Sequence, residues 1–85
     1  MSLDGWEEQR YHQVFEAVCR RVQRRRQTDP GFTIARLRGI LETQYVYQGN
    51  NWVGRGAVAD TAIAATIAAY EHLLAEWEQQ LEGQE

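Results

Sequence analysis

The chain of 85 residues has one cysteine, one proline and no lysine. With Cys19 alone, no internal disulfide can form. A secreted domain this small normally carries several cysteines, so a reducing, cytoplasmic setting is the expectation. Val18, Val22 and Phe15 share helical spacing with Cys19, which reads as a buried thiol behaving as a small hydrophobe. No run approaches the ~20 apolar residues of a membrane span, so no membrane association is expected. The first residues carry acids where a signal peptide has basic residues, and no apolar core follows them. The absence of lysine also removes the Gly-Lys-Ser/Thr phosphate cradle.

What is present divides into three stretches. The turn signal Asp29-Pro30-Gly31 makes one break. The glycine-rich run YQGNNWVGRG, residues 47–56, makes the other. Between them the spacing predicts helices over about 5–26, 33–48 and 57–82. The expected fold class is all-α, a compact up-down-up three-helix unit, with 1–85 as one domain and 1–3 and 83–85 frayed.

The first stretch sets Tyr11, Val14, Phe15, Val18, Cys19 and Val22 on one face. Asp4 with Glu7 reads as a capping box. The second places Ile34, Leu37, Ile40, Leu41, Tyr45 and Val46 or Tyr47 on its stripe. Thr33 is its expected N-cap and Gly49 its left-handed C-terminal residue. Gly39 weakens this helix by about 1 kcal/mol relative to alanine, a cost that close packing would explain. The third carries a heptad seam, Ile63, Ile67, Tyr70, Leu74, Trp77 and Leu81, flanked by Ala62, Thr66, Ala69 and Leu73. That apolar arc is too wide for one neighbour. With the small size, it predicts a larger bundle completed by homodimerisation through helix 3 and perhaps helix 2.

The charge is segregated. Residues 1–9 carry −3. Residues 10–38 hold eight arginines against Glu16 and Asp29, or +6. Residues 39–85 hold Arg55 against Glu42, Asp60, Glu71, Glu76, Glu78, Glu82 and Glu85, or −6. Arg20, Arg21, Arg24, Arg25 and Arg26 form a candidate basic patch. In an up-down-up bundle the carboxylates of Glu76, Glu78 and Glu82 come to the same end and are expected to neutralise it. A net charge of −3 leaves little positive field for phosphates.

The glycine-rich run follows no strand and has the wrong spacing for a nucleotide loop, so it reads as a connector. Trp52 and Arg55 exceed what a connector needs. They are expected to pack near Trp6 and to reach Glu7 or Glu8. Glu8, His12 and Glu16 share a helix face, as do His72 and Glu76, but neither set has the Glu-x-x-His spacing of di-iron bundles. Asp60 reads as an N-cap for a helix starting near Thr61, or as a structural ion pair. No nucleophile–base arrangement can be assembled from spacing. No catalytic, cofactor or metal residues are assigned, and enzymatic activity is not expected.

The leading expectation is a small, non-catalytic, cytoplasmic interaction or regulatory module acting through helix surfaces. Trp52, Arg55, Tyr47 and Trp77 are its candidate contact residues, and its expected partners are a second copy or another protein. The alternative is a nucleic-acid-binding accessory using the arginine-rich end of helix 1. The third is a small-ligand or metal-binding bundle.

Overall fold

The computed structural model describes residues 2–50 and 56–83; side chains at 2–4, 50, 57 and 58 are outside that description. Three helices fill it: α1 (Ser2–Thr28), α2 (Ile34–Asn50) and α3 (Ala57–Gly83). There is no strand among the described residues. Twenty-seven residues make a helix of about 40 Å, so α1 and α3 run most of the molecule's 48 Å length. The shorter α2 covers only part of it.

Cross-helix pairs fix the directions. Phe15 meets His72 near the middle (ring centroids 5.7 Å apart), and Arg26 meets Trp77 and Gln80 further along. α1 and α3 therefore run the same way. Arg38 pairs with Glu78 and Tyr45 with Glu71, so α2 runs against α3. The arrangement is up-down-up, as the short first connection requires.

α3 is the central element, with α1 and α2 both packed along it. Val18 and Val22 of α1, Leu37 of α2, Ala69 and Leu73 of α3, and Phe32 from the first connection form the core. Leu37, Ala65 and Ala69 are wholly buried. Alanine at 65 and 69 thins α3 where its neighbours approach, which explains why the deepest row is 65–69–73 and not the heptad seam. Of that seam Ile67 is buried; Ile63, Tyr70, Leu74 and Trp77 are half-buried and Leu81 is exposed. The wide apolar arc of α3 is taken up by two neighbours of its own chain.

The first connection is tightly bonded. The Asp29 carboxylate accepts from the Gly31 N–H at 2.9 Å and lies 3.5 Å from the Arg25 Nε. A Cβ on residue 31 would come 3.3 Å from the same Asp29 oxygen, which suits glycine there. Thr33 caps α2 as expected, its hydroxyl accepting from the Arg36 N–H at 3.2 Å. The α1 helix ends two residues later than expected, with the Thr28 hydroxyl donating to the Arg24 carbonyl.

Three expected helix ends are corrected. Asp4 is no N-cap, because α1 already starts at Ser2. Gly49 ends nothing, because α2 runs through it to Asn50 with no left-handed backbone. Asp60 does not cap α3, which starts at Ala57. Its N–H donates to the Gly56 carbonyl at 3.0 Å, and the acid sits in the first turn.

Candidate functional site

The basic cluster at the end of α1 splits into two kinds of arginine. Arg25 and Arg26 turn inward. Arg25 lies 4.6 Å over the Phe32 ring while approaching Asp29; Arg26 lies 4.0 Å over the Trp77 ring and donates to the Gln80 side chain at 2.8 Å. Phe32 and Trp77 tilt against each other at 6.0 Å. Two guanidinium–aromatic stacks thus close the end of the bundle where the first connection turns. Trp77, expected as a contact residue, is half-buried within this stack.

Arg20, Arg21 and Arg24 turn outward. They ring Ala17 around a shallow depression of about 290 Å³. Among the described residues no carboxylate pairs with them. The expected neutralisation by α3 is not made: Glu78 pairs with Arg38 of α2 at 2.8 Å, and Glu76 with His72 of its own helix at 3.5 Å. α2 packs on α3 as α1 does, and its Arg38 takes the Glu78 carboxylate.

At the opposite end, Glu7, Glu8 and Tyr11 of α1 face Asp60, Thr61 and Ala64 of α3 across an open cleft of about 520 Å³. Trp52 and Arg55 lie outside the described residues. Glu8, His12 and Glu16 are all exposed on α1. Among the described residues no three His, Cys, Asp or Glu side chains gather as a metal site. Phe15 lies against His72 on α3, and Tyr11 stacks on Phe15 at 6.4 Å. Burial, then the charges of Glu76 and Glu16, pushes the Cys19 thiol up from its ordinary range, so it resists forming a thiolate.

Among the described residues, three of the exposed large apolar side chains lie on α2: Tyr45, Val46 and Tyr47 are 43, 60 and 50% exposed, and Leu81 of α3 is 44% exposed. Tyr45 is tethered, its hydroxyl donating to the Glu71 carboxylate. This bond, with smaller effects from desolvation and the Glu71 charge, raises its pKa. Val46 and Tyr47 are more exposed than Tyr45. Ala35 and Gly39 are also exposed, and a Cβ on Gly39 would meet open space. Helical spacing puts Ala35, Gly39, Glu42 and Val46 on one outward stripe, in steps of four, three and four. Val46 or Tyr47 was expected to complete the inner stripe; both are exposed, and the outward stripe was missed, because "YVY" occupies positions where inner and outer faces are one residue apart.

No protein family, curated protein or solved structure matches this chain. The fold defines an all-α, three-helix unit; what it does has to be argued from these surfaces.

Proposed function

We propose that this protein is a small, non-catalytic interaction module that acts through helix surfaces, in keeping with a regulatory or scaffolding role. The observation that carries the reading is the outward face of α2. Its inner face, Leu37 and Leu41, is buried in the domain, yet Val46 and Tyr47 stand exposed on the outside with Ala35 and Gly39, among Arg36, Glu42 and Thr43. Apolar groups on both sides of a helix suit burial on both sides, and apolar groups rimmed by polar residues mark protein contacts. Tyrosine at its edge suits an interface, where a ring can be covered while its hydroxyl stays wet. The free, half-buried Cys19 suits a reducing compartment such as the cytoplasm.

The test is affinity capture from the host's own extract, with wild type against a Val46→Glu/Tyr47→Glu variant of unchanged helicity. A specific partner held by wild type and lost by the variant supports the reading; a second copy of the chain counts as such a partner. A protein that stays monomeric at ~100 μM, far above a micromolar dissociation constant, and whose captures ignore the variant, overturns it.

A second reading rests on Arg20, Arg21 and Arg24, which face solvent without a described carboxylate partner. Such a row is the footprint of a phosphate backbone. Titration of labelled duplex DNA at 50 mM salt decides it: binding that weakens steeply with added salt and is lost in an Arg20→Glu/Arg24→Glu variant supports it. Absence of binding removes it.

A further inference from the structure

Resting on the interaction reading, we propose that the partner covering α2 is a second copy of this chain, packed α2 against α2, antiparallel, about a two-fold axis near residues 40 and 41. Three observations converge on it.

The first is exposure. Val46 and Tyr47 stand 60 and 50% exposed on a helix whose Leu37 and Leu41 are buried in its own chain.

The second is shape. A two-fold interface must be complementary to itself. The outward stripe of α2 alternates as a short heptad seam: Ala35, Gly39, Glu42, Val46. Run antiparallel about an axis between Ile40 and Leu41, Val46 of each copy lies over Ala35 of the other. Glu42 of each crosses over the other's Gly39. Every larger residue meets a small one, four times. Gly39 then has a reason to be glycine that its own chain does not supply. Within the monomer a side chain there meets nothing, while the glycine costs about 1 kcal/mol of helix propensity.

The third is charge. α2 carries one acid, Glu42, and two bases, Arg36 and Arg38. Glu42 and Arg38 lie on the same side of the stripe. Antiparallel packing brings the same sides together, so Glu42 of one copy comes beside Arg38 of the other, extending the Arg38–Glu78 pair at 2.8 Å. On the other side, Arg36 of one copy comes beside Tyr47 of the other. Parallel packing would set Glu42 against Glu42, a like-charge contact. The charges select the antiparallel register.

The experiment is light scattering with size exclusion on the untagged full chain from ~1 to ~100 μM, which brackets a micromolar constant. A mass near twice 9.9 kDa is expected at the top of the range. Val46→Glu should weaken the dimer about 100-fold by burying unpaired carboxylates. Gly39→Leu should weaken it as strongly by filling the gap, while far-ultraviolet circular dichroism shows the helices unchanged. In a Cys19→Ser background, mixing Ala35→Cys with Val46→Cys chains should give a disulfide-linked heterodimer on mild oxidation. A monomer at ~100 μM overturns the proposal, as does a dimer that both substitutions leave intact. Val46→Cys chains that link only to themselves overturn the antiparallel register. A monomer whose captured heterologous partner is lost with Val46→Glu sinks the second copy and leaves the interaction reading standing.

Discussion

The helices α1 and α2 pack on the same central helix and present opposite outer surfaces. The inner face of α1 delivers Val18 and Val22 to the core; among the described side chains its outer face is mostly arginine, glutamine and glutamate, with no large apolar group. The inner face of α2 delivers Leu37 to the same core; its outer face shows Ala35, Gly39, Val46 and Tyr47 among Arg36, Glu42 and Thr43. Amphipathicity in α1 is ordinary for a surface helix. Its weakness in α2 is the anomaly. The difference separates a helix that needs one buried side from a helix that has two sides to bury.

The comparison breaks most simply at the shared inner side. Leu37 is fully buried, so Leu37→Ala should cost about 2–5 kcal/mol. In a domain this size each kcal/mol is worth about 4–8 °C, so thermal unfolding should shift by about 8 °C or more. Should the shift be under about 4 °C, α2 is not the integral core element described here. Trp77→Ala should follow, with a loss at or below the ~3–5 kcal/mol of a buried aromatic, since Trp77 is only half-buried. It removes the platform under Arg26 and the partner of Phe32 together.

The helices, their order and most of the inner face were legible in the sequence, because periodicity and the Asp-Pro-Gly break are local signals. Thr33 as a cap was legible for the same reason. Phe32 was not: it stands in a turn, and only tertiary contact with Trp77 and Arg25 draws it into the core. The ends of α1 and α2 were misplaced at Asp4 and Gly49, where residue preference favours a cap but the helix continues. The wide arc of α3 was read correctly as needing two neighbours, and chain connectivity, which periodicity does not contain, supplied both from within. The fate of the arginines depended on which carboxylate each one reaches, a matter of angstroms that spacing does not encode. Trp52 and Arg55, singled out as unexplained, lie outside the described residues.

Smaller effects sharpen the contrast between the outer faces. Gly39→Ala should stabilise the monomer by up to about 1 kcal/mol, since the added methyl meets open space and alanine favours the helix. Denaturant unfolding at low micromolar concentration reads this directly. Loss of stability there would mean that Gly39 answers a constraint inside the chain. Arg24→Glu on the outer face of α1 should leave stability within about 0.5 kcal/mol, as surface substitutions do. A larger loss would show that this arginine is engaged and that α1 is less idle on its outside than α2.

The smallest effect concerns Tyr45, at the boundary between the two faces of α2. Its hydroxyl donates to Glu71, and the neighbouring carboxylate disfavours the phenolate, so the folded protein holds the proton more tightly than the unfolded chain. A raised pKa places this stabilisation fully below the ordinary tyrosine value of about 10, and it is lost as pH rises through the higher folded value. Spectrophotometric titration at 295 nm should therefore show one tyrosine ionising late, and Tyr45→Phe should remove that late phase. Wild type should also lose more stability than Tyr45→Phe as pH rises above about 10. If all the tyrosines of the native protein titrate together, the Tyr45–Glu71 bond does not persist in solution. The flank of α2 would then be free to turn outward with Val46 and Tyr47, enlarging the apolar face that sets this helix apart from α1.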